Sequence, residues 1–302
     1  MQVNITSIEP RPVPADKSRC IRYLIKGNGI IRNLNFCDDV MACICCLDDE
    51  DVYHPGESAT VLRLLMPRII RERGRADFVC EGNLINRPLG PYADIFRIEK
   101  EGNILHVEGD LKDEYWIDGS VSSQFFSGLY IAGCKVHGKT ESSRYFRMTK
   151  EIMDLKEPFD VVIPPDPALE AFWNIGRLEI GDAREEPDMV PPWALQAAVT
   201  PGMTVIGNAG RLRYKESDRL HSIASVLNAL GAEVEESGDS LVIKGRESLE
   251  GGVTVDSFGD HRIAMMAAVA SNYCRKGITI TGAECVSKSY PGFFDGYEYL
   301  EQ

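Results

Sequence analysis

Basic residues lie at unusual positions in this sequence. Lys17, Arg22, Arg219 and Arg262 each fall within about two turns of the start of a segment with helical periodicity. A cation at a helix start opposes the helix macrodipole and costs about 0.3–1 kcal/mol unless a negative group is close by. A bound anion reverses the sign of that cost, because free N–H groups and cations then converge on its oxygens. The pattern therefore predicts an anion site built from several helix starts.

Five predicted helices must position these cations. Each opens with small hydroxyl, acidic or basic residues and continues as an apolar body, and the opening segments are residues 16–18, 57–60, 120–124, 217–219 and 260–262. Residues 263–270 are apolar on every face, so their helix is predicted to be buried. Capping alone would explain the Ser, Thr and Asp residues, which satisfy unpaired N–H groups at any helix start. It would not explain the cations.

Three further residues are candidates for acid-base chemistry or anion binding, and each also has a plainer interpretation. Asp188 follows the sequence EEP and could be a solvated loop acid. Glu216 could form a surface pair with Arg219 worth roughly a few tenths of a kcal/mol, and Lys288 would ordinarily be an exposed loop lysine. His261 lies in a motif, but its default interpretation is structural. Walker, HExxH and GxGxxG sequences are missing, so metal, nucleotide and dinucleotide sites have no support.

Composition narrows the class of protein. The chain has 302 residues, 44% hydrophobic and 26% charged, which is ordinary for a soluble globular protein of about two domains. Its net charge of −13 argues against a general nucleic-acid binder. No apolar run approaches the roughly 20 residues of a membrane span, and the N-terminus lacks the order of a secretory signal. The nine cysteines, densest at Cys43, Cys45 and Cys46, are expected to be reduced and mostly buried, as in the cytoplasm.

A weak internal repeat indicates the fold class. Three segments read as a strand that starts at glycine, then a loop, then a helix, with the helices predicted at residues 38–47, 217–230 and 291–300. The alternation of strands and helices predicts an α/β or α+β protein built from similar units. The proline-rich segment 164–192 is the least regular, and its start is predicted to lie in the region of a domain boundary.

Three long motifs resemble those of one enzyme family. Residues 212–220 read LRYKESDRL, residues 259–265 read GDHRIAM, and residues 118–125 read DGSVSSQF. All three are similar to motifs of the 5-enolpyruvylshikimate-3-phosphate (EPSP) synthase family and stand in the family's order. Weaker matches in the same order extend the resemblance over most of the chain.

The resemblance implies a trimmed enolpyruvyl transferase-like inverse α/β barrel, with two similar domains of repeated βαβαββ units and the substrates in the cleft between them. Residues 13–154 would form an N-terminal domain that binds shikimate 3-phosphate. Residues 1–12 and 155–302 would form a C-terminal domain that contributes residues for phosphoenolpyruvate (PEP) binding and acid-base chemistry. The family resemblance implies a monomer without cofactor or metal, and an oligomer is left open. The losses in length are expected between residues 22 and 56 and between residues 145 and 188.

The family's reaction joins PEP to the 5-hydroxyl of shikimate 3-phosphate and releases phosphate. Residues that match the family's catalytic positions are Lys17, Asp188 and Glu216. Residues that match its shikimate 3-phosphate site are Lys17, Ser18, Arg22, Ser122, Ser123, Gln124, Ser142, Tyr145 and Asp188. Residues that match its PEP site are Lys17, Glu57, Arg87, Gln124, Arg219, Arg262 and Lys288. The chemistry is consistent with these types, because an alcohol nucleophile needs a base and an enol carbon needs an acid.

Two positions depart from the family pattern. Glu57 stands where the motif commonly has Asn, which brings a carboxylate near an anionic substrate. Ala59 stands where Gly is usual, and its methyl group is expected to project toward the PEP site. Because the family's inhibitor glyphosate is bulkier than PEP there, Ala59 is predicted to lower sensitivity to it.

Two rival interpretations remain at this stage. UDP-N-acetylglucosamine enolpyruvyl transferase shares the fold and the PEP chemistry, but it predicts a reactive cysteine in an Arg-Cys-Gly-type loop, which this sequence lacks. A non-catalytic relative that binds substrate without turnover would explain the missing length. The matched acid-base and arginine positions are all present, which favours an enzyme.

Overall fold

The computed structural model describes residues 1–49, 51–297 and 299–300, and it divides the chain into two compact units. The inserted unit comprises Ala15–Pro164, and the terminal unit combines Met1–Pro14 with Pro165–Gln302. The sequence placed the end of the first domain at residue 154. The strand Phe159–Val162 pairs in parallel with Gly29–Arg32, so the inserted unit continues through Pro164.

The α-helices of the described residues are α1 (Lys17–Lys26), α2 (Asp38–Asp48), α3 (Ala59–Arg73), α4 (Tyr92–Ile95), α5 (Gln124–Ile131), α6 (Ser143–Met153), α7 (Pro167–Glu170), α8 (Val190–Ala198), α9 (Arg219–Ala229) and α10 (His261–Ala270). Short 3₁₀ helices cover Leu84–Asn86, Ala171–Asn174, Pro187–Met189, Gly210–Tyr214, Ser271–Tyr273 and Ala283–Lys288. No helix in this part of the chain is long and apolar enough to cross a membrane.

The strands of the described residues are β1 (Gln2–Ile5), β2 (Gly29–Arg32), β3 (Val52–Gly56), β4 (Arg75–Cys80), β5 (Arg97–Glu101), β6 (Ile104–Glu108), β7 (Glu114–Trp116), β8 (Lys135–His137), β9 (Phe159–Val162), β10 (Gly202–Ile206), β11 (Glu233–Ser237), β12 (Ser240–Gly245), β13 (Leu249–Gly251), β14 (Thr254–Asp256), β15 (Cys274–Lys276), β16 (Ile278–Thr281) and β17 (Tyr299–Leu300).

The inserted unit contains one four-stranded sheet, β3-β4-β6-β5, and two parallel strand pairs, β2-β9 and β7-β8. Its hydrophobic core lies among α1, α2, α3 and α5 and the inner face of the larger sheet. Helices α3 and α5 approach closely at Gly128, where a Cβ atom would lie 2.1 Å from the carbonyl oxygen of Arg63. Tyr92 closes this contact, since its hydroxyl donates to the carbonyl oxygens of Arg63 (2.8 Å) and Phe125 (3.2 Å).

The terminal unit has its own hydrophobic core, built around α8, α9 and α10. Its sheets are β14-β16-β1-β17, the antiparallel sheet β10-β12-β11 and the parallel pair β13-β15. Every residue of α10 is buried, as its uniformly apolar sequence predicted. Strand β1, from the extreme N-terminus, pairs with β16 and β17, which ties both ends of the chain into this unit.

All five helix starts predicted from the sequence are confirmed, at α1, α3, α5, α9 and α10. Side-chain caps hold four of them: Asp16 at α1, Ser58 at α3, Asp218 at α9 and Asp260 at α10. These side chains accept hydrogen bonds from N–H groups that the helix leaves unpaired, so capping does contribute.

One helix predicted from the repeat is wrong. Residues 291–297 form turns, and Tyr299–Leu300 is a strand, so the segment 291–300 is not helical where it is described. Gly292 and Gly296 adopt positive φ angles of 78° and 82°, which are incompatible with a helix. Phe293 and Phe294 are fully buried, so the turns are held by aromatic packing in the core.

Candidate functional site

A buried arginine organises the candidate site of the terminal unit. Arg219 is the first residue of α9 and only 1% of it is exposed. Its Nη1 lies 2.9 Å from Asp188 Oδ1, its Nη2 lies 2.6 Å from Glu216 Oε2, and its Nε lies 2.7 Å from Asp260 Oδ2. Burial would lower the pKa of Arg219, but Asp260, Glu216 and Asp188 outweigh burial and raise it. Arg219 is thus a permanent cation that joins two predicted acid-base residues.

Three cationic side chains lie close to the carboxylate of Asp188. It lies in the 3₁₀ turn Pro187–Met189, immediately before α8. Besides Arg219, its Oδ1 lies 3.4 Å from Lys215 Nζ and 3.5 Å from Arg262 Nε. Burial would raise the pKa of Asp188, but Arg262, Lys215 and Arg219 together hold it well below its usual value. Asp188 is therefore a carboxylate at neutral pH, and it is not the solvated loop acid of the plainer interpretation.

These contacts bring together the starts of three helices of the terminal unit. Asp188 precedes α8, Arg219 begins α9, and Arg262 is the second residue of α10. Asp260 connects two of them, because it accepts a hydrogen bond from the Arg262 backbone N–H (2.9 Å) while pairing with Arg219. Ser217 donates to the same carboxylate at 3.2 Å. The starts of α8, α9 and α10 therefore lie close together within this unit, and those of α9 and α10 are among the five that the sequence predicts.

Lys215 was missed as a site residue by the sequence analysis. It lies in the motif 212–220, next to Glu216, and about a quarter of its side chain is exposed. Burial lowers the pKa of Lys215 to about 8, although Asp188 partly opposes that shift. A signal was available, because Lys215 is a cation directly before the matched acid Glu216. Spacing alone did not show that it faces Asp188.

Two other plain interpretations of the sequence are wrong. Lys288 is not an exposed loop lysine, since it ends the 3₁₀ helix Ala283–Lys288, which packs against α10, and only 6% of it is exposed. The pair of Glu216 with Arg219 is not a surface contact, because their side chains are 14% and 1% exposed.

In the inserted unit, Lys17 pairs with a carboxylate at the start of a neighbouring helix. Lys17 begins α1, and its Nζ lies 2.6 Å from Oδ2 of Asp39, the second residue of α2. Asp39 is buried and Lys17 is largely buried, with 12% of its side chain exposed. The starts of α1 and α2 are therefore adjacent, and Lys17 has a negative partner that offsets its unfavourable position in the helix dipole.

Arg22 is a buried cation whose hydrogen bonds go to neutral oxygens. Only 1% of it is exposed, and it donates to Thr149 Oγ1 (2.7 Å) and to the Ser18 carbonyl (2.9 Å). Burial lowers the pKa of Arg22 to about 10. Thr149 belongs to α6, where its hydroxyl also donates to the Tyr145 carbonyl (3.0 Å). The buried Ser142, with φ 51°, immediately precedes α6, so Ser18, Arg22, Ser142 and Tyr145 belong to one neighbourhood of α1 and α6.

Gln124 is oriented by two neighbours on α3. It begins α5, its Nε2 donates to Thr60 Oγ1 (2.7 Å), and its Oε1 accepts from Arg63 Nη1 (2.9 Å). The other Arg63 nitrogen, Nη2, donates to the carbonyl of Pro88 (2.6 Å), which follows Arg87 in the chain. The starts of α3 and α5 are therefore adjacent, and Arg63 connects them with the segment that carries Arg87.

The remaining predicted residues of the inserted unit lie at or near the starts of α3 and α5. Ser122 Oγ accepts from the Gln124 backbone N–H (3.3 Å), and the buried Ser123 immediately precedes α5. The Glu57 carboxylate lies against Gly82, where a Cβ atom would be 2.1 Å from Oε1. Ala59, the first residue of α3, is 4% exposed and belongs to the hydrophobic core.

The structure thus groups the predicted residues by unit. Asp188, Glu216, Arg219 and Arg262 are in direct contact in the terminal unit, and Lys288 lies against the same helix, α10. Lys17, Ser18, Arg22, Glu57, Arg87, Ser122, Ser123, Gln124, Ser142 and Tyr145 lie in the inserted unit. Within the described ranges, no group of three or more His, Cys, Asp or Glu residues could hold a metal ion.

Comparisons with known proteins identify the enzyme family to which this chain is similar. The family model described as EPSP synthase (3-phosphoshikimate 1-carboxyvinyltransferase) matches residues 177–296. The chain is 31% identical to the 3-phosphoshikimate 1-carboxyvinyltransferase of Clostridium kluyveri, covering 99% of this chain and 97% of that protein. It is 33% identical to the protein of the same name from Clostridium acetobutylicum, covering 81% and 76%. The first alignment extends over 413 positions against 302 residues here, so this chain is a shortened relative.

Solved structures show the same fold. An EPSP synthase from Acinetobacter baumannii matches with a TM-score of 0.74 at 19% identity, over 97% of each chain. The enolpyruvyl transferase NikO from Streptomyces tendae matches with a TM-score of 0.66 at 11% identity, over 98% of this chain and 97% of that one. These similarities confirm the predicted α/β fold of the enolpyruvyl transferase type.

Proposed function

Because this chain belongs to the EPSP synthase family, we propose that it transfers the enolpyruvyl group of PEP to the 5-hydroxyl of shikimate 3-phosphate and releases phosphate. The observation that carries the proposal is the contact of one buried guanidinium, Arg219, with both Asp188 and Glu216. That contact holds a base and a second carboxyl group beside a permanent cation, which is the combination that an addition to an anionic enol requires.

The terminal unit supplies cations suited to PEP. Arg219, Arg262 and Lys288 are all nearly buried, so their charges act with little screening by water. Arginine presents a planar fork that matches carboxylate and phosphate oxygens, which favours Arg219 and Arg262 for the two anionic groups of PEP. From the inserted unit, Lys17, Glu57, Arg87 and Gln124 complete the proposed PEP set.

The inserted unit supplies groups suited to shikimate 3-phosphate. Arg22 is a buried cation bonded to neutral oxygens, an arrangement that a ligand anion would stabilise. Ser18, Ser122, Ser123 and Ser142 stand at the starts of α1, α5 and α6, where the helix dipole favours phosphate oxygens. Lys17, Gln124 and Tyr145 of this unit and Asp188 of the terminal unit complete the proposed set.

The proposed chemistry has two stages. In the addition, Asp188 accepts the proton of the 5-hydroxyl while the oxygen bonds to C2 of PEP and the C2–C3 π electrons take a proton at C3. In the elimination, a proton leaves C3, the double bond re-forms and the C2–O bond to phosphate breaks. Glu216 and Lys17 are the proposed partners in the proton transfers at C3. The cations gather two like-charged substrates, an orientation effect that can reach roughly 7–11 kcal/mol.

A phosphate-release assay with shikimate 3-phosphate and PEP tests the proposal. We expect release from the unaltered chain and a loss of at least about a hundredfold in Asp188→Ala and Glu216→Ala. Asp182→Ala is a matched control, because Asp182 lies on the same segment as Asp188 but pairs with the exposed Arg184. Equal release from all four proteins would contradict the roles of Asp188 and Glu216. No release from the unaltered chain would falsify the proposed enzymatic activity.

The assay also separates the rival interpretations. A non-catalytic relative would bind both substrates without releasing phosphate. A nucleotide-sugar enolpyruvyl transferase would release phosphate with UDP-N-acetylglucosamine instead of shikimate 3-phosphate, and the motifs 118–125 and 212–220 disfavour it. The proposal includes a cytoplasmic location, supported by the nine free cysteines, and a monomeric state, supported by family resemblance.

A further inference from the structure

Three cations of the terminal unit, two of them proposed to bind PEP, are paired with the protein's own carboxylates. Lys215, Arg219 and Arg262 face Asp188, and Glu216 and Asp260 also pair with Arg219. This set of six contains as many negative as positive charges. A substrate that carries two anionic groups would gain little from a neutral cluster, because attraction by the cations is offset by repulsion from the carboxylates. Lys215, Arg219 and Arg262 can attract a substrate anion strongly only if a carboxylate moves away from them.

Among the three carboxylates, Asp188 is the one whose ion pairs can be broken most easily. Asp260 is fully buried and caps α10, so its displacement would also unpair a helix start. Glu216 is bound to Arg219 across three positions of the same segment at 2.6 Å. Asp188 contacts all three cations through a single oxygen, Oδ1, and 22% of its side chain is exposed, more than either of the others. Of the three carboxylates, Asp188 is therefore the one most open to solvent.

We propose that Asp188 is an internal competitor of the substrate anion: its carboxylate occupies Lys215, Arg219 and Arg262 until PEP takes them over, and this exchange releases Asp188 to accept a proton. The identity of the anion rests on the proposed function; the competition itself rests on the contacts of Asp188. One side chain then both blocks the anion site and serves the reaction, so the base is freed only when the acceptor of the new bond is present.

Thermodynamic linkage fixes the sign of two consequences. Removing the charge of Asp188 must strengthen anion binding, because the competitor is gone and the cluster becomes positive. Conversely, anion binding must raise the pKa of Asp188, because the cations that hold that pKa low are drawn away. Protonation of Asp188 and anion binding must strengthen each other by the same free energy, since coupling between two bound species is reciprocal.

Calorimetric titration of the full chain with PEP, and separately with sulfate, tests the first consequence. Asp188→Asn keeps the shape of the side chain and removes its charge, and we expect it to bind both anions about tenfold more tightly, within the range typical of coupled sites. Asp182→Asn is the matched control, because it removes a charge from the same segment that is bound to Arg184; its affinity should be unchanged. Circular dichroism establishes that each variant is folded, and Asp188→Ala replaces Asp188→Asn if the latter is not.

The second consequence is tested in the unaltered chain. Sulfate stays almost fully deprotonated near pH 4, so any proton taken up when it binds passes from the buffer to the protein. Titrations near pH 4 in two buffers with different ionisation enthalpies should show proton uptake, and Asp188→Asn should lose that uptake. Unchanged or weaker anion binding in the variant, or equal proton uptake in both proteins, would overturn the competition. These measurements need no turnover, so a failed phosphate-release assay would leave their outcome readable.

Discussion

At the scale of single residues, the site depends on the geometry of guanidinium groups. Arg219 contacts three carboxylates through three different nitrogens, and only a rigid fork with several donors can do so. Lys215 provides a point charge on a flexible stem, and burial brings its pKa to about 8. The charge of the cluster can therefore change near physiological pH through Lys215, whereas Arg219 remains charged throughout.

Lys215 predicts a pH dependence of anion affinity. Below about pH 8 the amine is protonated and faces Asp188 as a cation; above it the amine becomes neutral while Asp188 stays ionised. The cluster then gains net negative charge, so the affinity for PEP should fall roughly tenfold between about pH 7 and pH 9.5. Lys215→Arg keeps its charge in this range and should flatten the profile. An equal fall in the arginine variant, measured by titration calorimetry, would assign the effect to another group.

Ala59 predicts a change in inhibitor sensitivity. It begins α3 and its methyl side chain is nearly buried in the hydrophobic core of the inserted unit. The resemblance of the sequence implies that other members of the family have glycine here. If that methyl group crowds the inhibitor, Ala59→Gly should lower the inhibition constant of glyphosate by roughly tenfold, while KM for PEP changes less, as for other single-methyl differences in a tight site. Steady-state inhibition kinetics provide the measurement. Equal inhibition constants for both proteins would count against this role of the methyl group.

At the scale of helices, aspartate caps serve two different purposes. Asp218 caps α9 through the backbone N–H of His221 and pairs with the partly exposed Arg213. Asp260 caps α10 in the same way but also holds the buried Arg219. The N-cap aspartate of α9 therefore stabilises only its own helix start and a nearby arginine. The N-cap aspartate of α10 also links α10 to α9.

The two caps are predicted to differ in their effect on stability. Asp218→Ala should lower the free energy of unfolding by about 1 kcal/mol, the usual cost of a lost cap. Asp260→Ala should cost about 3–5 kcal/mol, because it breaks a buried ion pair as well as the cap. Urea denaturation of both variants compares them directly. Similar losses would mean that Glu216 and Asp188 suffice to satisfy Arg219.

At the scale of the whole molecule, two hydrophobic cores are separate in the described structure. The core of the inserted unit includes Leu62, and the core of the terminal unit includes Leu227. The parallel pair β2-β9 is built from the two intervals in which the sequence predicted losses, and it has two strands where the sheet of β3, β4, β6 and β5 has four. Shortening is compatible with the fold because each unit retains a core of its own.

Separate cores predict unfolding in more than one step. Leu62→Ala and Leu227→Ala each remove a fully buried side chain, at a cost of about 2–5 kcal/mol. Each variant should shift the transition of its own unit to lower denaturant and leave the other in place, since units with their own cores need not unfold together. Equilibrium unfolding followed by circular dichroism and hydrogen exchange distinguishes the units. A single transition shifted equally by both variants would contradict this independence.

The amino-acid sequence by itself determined the helix starts, the burial of α10, the α/β class and the family. These features depend on local spacing and capping, or on motifs that stay contiguous in the chain. The tertiary structure decided which charges meet. Asp188 and Arg262 are 74 positions apart, and Lys17 and Asp39 are 22 apart. Neither contact could be predicted from the periodicity of the sequence. The tertiary structure also decided the partners of Lys215, the end of the inserted unit at Pro164 and the turns at 291–297. In each case packing against residues distant in sequence outweighs the local pattern, and only the folded chain brings those residues within hydrogen-bonding distance.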